Sequence, residues 1–122
     1  MGNDYFHIEL VGDVLRLTRT AHPMSDKTDE IQGVYDAITR LLRPSAGKKA
    51  LIDLRGGPVG RSDAVFESVS SEATRRMTAH FSKVAVLVRS AAGKLQVKRL
   101  SGNSRAVFQS EAAALAYLAS EG

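Results

Sequence analysis

Cysteine is absent from the 122 residues. That excludes disulfides, thiolate metal ligation and thiol catalysis, and it fits a reducing compartment. No uninterrupted apolar run approaches the ~20 residues that a spanning helix needs, so a membrane span is not expected. The opening MGNDYFHIEL lacks the basic start and apolar core of a signal peptide. Phe6 stands where N-myristoylation would want Ser or Thr. A cytoplasmic location is the resulting expectation. Internal repeats, low-complexity tracts and linkers are also lacking, which points to a single domain over residues 1–122. His7, His22 and His80 have no metal-ligand spacing and no acidic cluster beside them, so neither a metal nor another cofactor is expected.

What is present is ordinary for a globular chain: 43% hydrophobic and 25% charged residues. The net charge of +4 is mildly basic. Lys94, Lys98, Arg99 and Arg105 form a basic stretch, with Lys48 and Lys49 adding the same sign. A solvated face explains it; contact with an anionic lipid headgroup or nucleic acid is the competing explanation. No aromatic residue interleaves these bases, and no helix-turn-helix or zinc-finger spacing accompanies them, so nucleic acid is disfavoured.

Hydrophobic periodicity gives the order β-β-α-β-α-β-α-β-α. YFHIELVGDVLRLTRT reads as two strands around Gly12-Asp13, with Phe6, Ile8 and Leu10 on one side and Val14 or Leu15 and Leu17 resuming beyond the turn. Ser25 or Thr28 then caps a helix whose Ile31, Val34, Tyr35, Ile38, Leu41 and Leu42 share a face, with Pro44 ending it. ALIDLR and KVAVLVRS are continuous apolar runs, as expected of strands covered on both faces in a parallel sheet. Between them Val65, Phe66, Val69, Ala73, Met77, His80 and Phe81 make a helical stripe, with Glu72 and Arg76 as an i,i+4 pair. KLQVKRLSG fits either a short helix, with Leu95 and Leu100 on one side, or a strand alternating Leu95 and Val97, and the helix is favoured; RAVFQ reads as a last strand. Ser110 caps a final helix through SEAAALAYLAS. The fold class is therefore α/β, a sandwich with a mostly parallel central sheet and helices packed on it.

The stretch LIDLRGGPVGRSDAVFE leaves a strand through Gly56, Gly57, Pro58 and Gly60 and enters a helix near Ser62 and Asp63. A nucleotide-binding P-loop needs G-x-x-x-x-G-K-[ST], but Arg55 takes the first glycine's place and Arg61 the lysine's. Pro58 also removes a backbone donor. Gly60-Arg61-Ser62-Asp63-Ala64 approximates a nucleophile elbow. The one histidine that follows, His80, lies about 27 Å along the same predicted helix. Neither catalytic reading fits, and no enzyme activity is expected.

The step from LIDLR through a short loop into a helix, and the element order as a whole, resemble the STAS or SpoIIAA-like family of anti-sigma-factor antagonists and their relatives. In that family an "hhhDLs" strand leads to a DSSG motif whose first serine is phosphorylated in regulatory members. Aligning Asp53-Leu54 with the family's "DL" brings Ser62 onto the phosphoacceptor position, with Arg61, Asp63 and Ala64 replacing the other three motif residues. The tail SRAVFQSEAAALAYLAS also resembles the ends of STAS-like and SEC14-like small proteins. The resemblance implies a non-enzymatic regulatory domain that binds a protein partner, of anti-sigma or kinase-like type, through Gly56, Gly57, Gly60, Arg61 and Asp63. A phosphoserine switch at Ser62 goes with it, and Asp53 would order the loop by hydrogen bonds. Ser62 or Asp63 acting only as a helix cap is the plainer reading. A loop that binds a small anion or a lipid headgroup stays open beside it, as does a self-associating domain that forms a homodimer without a switch.

Overall fold

A computed structural model of the chain describes residues 5–22, 27–56, 75–79, 81–91, 94–95 and 106–120. Their elements are β1 (Phe6–Val11), β2 (Val14–Arg19), α1 (Thr28–Leu42), a 3-10 turn (Arg43–Ser45), β3 (Lys49–Asp53), β4 (Lys83–Leu87), β5 (Ala106–Phe108) and a final helix, here α2 (Glu111–Ala119). The five strands form one sheet in the order β1-β2-β3-β4-β5. β1 and β2 are antiparallel, whereas β2, β3, β4 and β5 run parallel. The molecule is thus mixed α/β with a mostly parallel sheet.

The hairpin forms where the alternation predicts it. Gly12 takes φ 64°, which a side chain would disfavour, and so allows the tight reversal into β2. Parallel strands then step in one direction across the sheet. Right-handed crossovers of that kind place their helices on one face. Ile38 and Leu42 of α1 and Met77 of the helical residues 75–78 accordingly share one core cluster with Phe6, Ile8, Leu15, Leu17, Ile52, Val86 and Val107. α2 makes no crossover and covers the opposite face, where Ala114 and Leu118 pack on Leu51, Ala85 and Leu87. β3 and β4 are therefore buried on both sides, as their unbroken apolar runs require.

Some local expectations differ. Lys27, without a side-chain cap, holds the N-cap position of α1, and Thr28 is already helical. Leu41 is 36% exposed although the pattern assigned it to the core face. Asp29 and Glu30 sit in the first turn and Arg40 in the last, so the helix dipole is complemented at both ends despite the missing cap. Arg76 reaches Asp36 of α1 at 3.9 Å; Glu72 lies outside the described residues. Residues 91 and 94–95 are helical, and the rest of the segment read as a short helix is outside them too.

Ile38 is fully buried on one face and Leu118 is 1% exposed on the other. Ile38→Ala and Leu118→Ala should each lower the unfolding free energy in urea by about 2–5 kcal/mol, while Leu41→Ala should cost under ~1 kcal/mol. Equal losses at positions 38 and 41 would contradict this packing.

Candidate functional site at the strand exits

In an open parallel sheet, ligand- and partner-binding loops leave the carboxyl ends of the strands. β3 ends there at Asp53, flanked in register by Thr18 of β2 and Leu87 of β4. The pleat turns Asp53 to the α2 side together with Leu51, and the carboxylate is buried, with only 4% of the residue exposed. A buried carboxylate needs partners. Arg16 Nη2 donates to Asp53 Oδ2 at 2.9 Å, and Arg55 Nη2 donates to the same oxygen at 3.0 Å. On Oδ1, Arg55 Nε donates at 3.1 Å and the Arg55 backbone N–H at 3.0 Å.

Glu111, at the first turn of α2, closes the arrangement. Its Oε1 accepts from Arg16 Nη2 at 2.5 Å and from Arg55 Nη2 at 3.0 Å. The four side chains form a ring of alternating charge, Arg16–Asp53–Arg55–Glu111, joining β2, the end of β3 and α2. Ser110 sets the helix start: its hydroxyl accepts the Ala113 N–H at 3.3 Å, the cap read from the sequence.

The ring holds both acids ionised. For Asp53, burial is the largest single influence and pushes its pKa up. It is outweighed by the Arg55 side-chain and backbone hydrogen bonds and by Arg16, so the pKa falls below the usual carboxylate range. The Arg16 hydrogen bond, then its charge, lowers Glu111. Arg16 is raised chiefly by Glu111, and Arg55 chiefly by Asp53. Asp53 is thus a committed hydrogen-bond acceptor and a poor proton shuttle near neutrality.

The same ring fixes where the loop departs. The Leu54 N–H extends the ladder to Leu87 O at 2.8 Å. Arg89 Nη1 donates to the Arg55 carbonyl at 3.3 Å. At Gly56 a Cβ would meet the Arg19 carbonyl at 3.4 Å, an ordinary contact, so the chain passes beside the end of β2 without a steric need for glycine there. On the α1 side of this edge Arg19 is 8% exposed, and no carboxylate among the described residues contacts it. Its Nη1 donates to Tyr5 O at 3.2 Å and Thr20 O at 2.7 Å, and its guanidinium lies 5.6 Å from the Tyr5 ring and 5.7 Å from the Phe6 ring. Burial lowers its pKa, with the nearby Tyr35 and Tyr5 opposing.

Of the residues singled out in the sequence, Asp53 and Gly56 lie at this edge. Gly57, Gly60, Arg61, Ser62 and Asp63 lie outside the described residues, as do His80, Lys98, Arg99 and Arg105. His7 is exposed on β1, and His22 meets the Tyr5 ring edge-on at 4.7 Å. Among the described residues no cluster of His, Cys, Asp or Glu suits a metal, and no helix is long and apolar enough to cross a membrane. Lys48 and Lys49 lead into β3 at the opposite, amino edge of the sheet, whereas Lys94 follows β4. They do not form one patch with it. Arg16, Arg55, Glu111 and Arg19 were not foreseen. The available signal was an arginine at an alternating position of one strand and an aspartate inside the apolar run of another.

Comparison of the chain with protein-family models, curated proteins and solved structures gives no match.

Asp53→Asn should destabilise the protein by about 2–3 kcal/mol, less than the loss of one partner from a fully buried pair because both arginines reach solvent. Glu111→Gln should cost clearly less. The folded pKa of Asp53 is depressed, so its stabilisation is complete above the unfolded value and is lost as pH falls through the folded one. Urea titrations from pH 7 downward should show the wild type losing stability below about pH 4 more steeply than Asp53→Asn. Parallel curves would rule out the ring as the source.

Proposed function

We propose that the protein is a non-enzymatic regulatory domain of STAS or SpoIIAA-like type that binds a protein partner through the loop beginning at Gly56, with Ser62 as the phosphoacceptor. The observation that carries this reading is the anchoring at Asp53. The acid at the end of the "DL" strand is spent on two arginines and on the backbone N–H of Arg55. It steadies the start of a loop rather than serving as a reactive group. A mostly parallel sheet with a chain leaving its carboxyl edge at Gly56, and a final helix capped by Ser110, supports the reading at the level of fold class. Phosphorylation at Ser62 would add about −1.5 to −2 charges beside Arg61 on the contact surface and oppose docking without refolding the domain.

A small-anion ligand at the same edge is the second reading. Arg16 and Arg55 lie there paired with Asp53 and Glu111, Arg89 meets the Arg55 carbonyl, and Arg19 ends β2 on the other face of the sheet.

Phosphosite mapping of the protein from its native host, in growing and stationary cells, should find phosphate on Ser62 in one state. Affinity capture with Ser62→Ala should retain a partner that Ser62→Asp loses. If Ser62 is unmodified in both states and the two variants capture alike, the switch is excluded.

A further inference from the structure

The edge of the sheet opposite the strand exits carries a second surface. The topology assembles it: β2 begins there at Val14, α1 ends there at Leu42, β3 begins at Lys49 and β4 at Lys83. Arg40, Arg43, Lys48 and Lys49 lie along this edge, and none has a carboxylate partner among the described residues. Lys83 is engaged, donating to Ser120 O and Oγ and facing the Tyr117 ring. Among the described residues Asp13 is the acid placed beside them, its carbonyl accepting the Lys49 N–H.

The same edge holds the exposed aliphatics of the hairpin tip. Leu10 is 51% exposed and Val11 57%, immediately before Gly12, and Leu41 at 36% lies at the end of α1 on the same side of the sheet as Leu10. Nothing in the core requires them: their neighbours Ile8 and Leu42 are already buried.

We infer that this edge is a docking surface for an anionic membrane, with Leu10 and Val11 entering the acyl boundary and Arg40, Arg43, Lys48 and Lys49 meeting phosphate and carboxylate headgroups. The charge complementarity selects the occupant. A second copy would set four cations against four like cations. Nucleic acid would leave the aliphatic tip unused, and the nearby rings Phe81 and Tyr117 are packed half-buried against the cores rather than offered for stacking. An anionic bilayer uses both parts, since basic residues are attracted to its surface potential and short aliphatic side chains partition beneath the headgroups. This surface is independent of Ser62 and of the loop at the other edge.

Co-sedimentation with phosphatidylcholine vesicles, with and without phosphatidylserine, tests it at low and high salt. The wild type should bind the phosphatidylserine vesicles, release in high salt, and stay in solution with phosphatidylcholine alone. Lys48→Glu/Lys49→Glu should weaken partitioning about tenfold or more. Leu10→Ser/Val11→Ser should weaken it at unchanged net charge, and soluble glycerophosphoserine should compete poorly because it offers no acyl layer. Circular dichroism should show both variants folded, as these side chains lie outside the core. Equal binding to both vesicle types, no binding, or wild-type binding by both folded variants would overturn the proposal. So would concentration-dependent dimerisation abolished by Leu10→Ser/Val11→Ser, since that surface would then be a contact between copies.

Discussion

The burial of Asp53 is the constraint from which the carboxyl edge of this sheet follows. An ionised carboxylate withdrawn from water is tolerated only when its lone pairs are filled. Here two arginines fill them, and one backbone N–H adds a further bond. Each donor comes with a structural consequence. Arg55 must turn back directly after the strand, which sets the direction of the loop. Arg16 must come from the neighbouring strand, which ties β2 to β3 beyond their ladder. Those two cations in turn need Glu111, and Glu111 lies in the first turn of α2, where a negative charge suits the helix dipole. The opposite end of α2 is held by Lys83, through the Ser120 carbonyl and hydroxyl and the Tyr117 ring. A helix of nine residues, too short to be stable alone, is therefore fixed at both ends.

Sheet width explains why the ring sits where it does. Four strand spacings of about 4.8 Å make the sheet roughly 19 Å wide. Among the described residues α1 and the helical residues 75–78 share one face and α2 covers the other, and a single helix about 10 Å across covers only part of it. α2 packs on β3, β4 and β5. The outer face of β1 and β2 is left to His7, Glu9 and Val11, all exposed, and to Arg16 and Thr18, both half-buried. Arg16 stands on the border of that uncovered strip. It can reach Asp53 under the helix edge and still keep part of its guanidinium in water, at 26% side-chain exposure. A leucine there would meet solvent, and a fully buried arginine would lack water for its remaining donors.

Much of this architecture was legible in the sequence because it depends on local pattern. The alternation of Phe6 and Ile8, the helical spacing of Ile31, Ile38 and Leu42, and the unbroken runs of β3 and β4 each name a periodicity and a burial state. Ser110 was readable as a cap because capping needs only a side chain and the next turn. The charged ring was not readable. Arg16 and Asp53 are 37 residues apart, and Arg16 and Glu111 are 95 apart. Their meeting depends on parallel pairing and on the face that α2 chooses, neither of which a local pattern contains. Leu41 was misassigned for a related reason. Spacing alone does not say which flank of the stripe meets the sheet: in the same last turn Leu42 is buried while Leu41 is turned out.

The ring also limits what an anion at the carboxyl edge can do. Arg16 and Arg55 are each shared between two carboxylates, so recruiting either to a phosphate would break contacts that hold Asp53 in place. Arg19 is spent on two backbone carbonyls and lies among aromatic rings on the other face. Of these four arginines only Arg89, exposed and bonded to a single carbonyl, can turn toward an incoming charge without cost to the core. Among the described residues, an anion added at this edge is therefore weakly compensated. Under the proposed switch, a phosphate would then act by repelling a partner rather than by rearranging the fold that carries it.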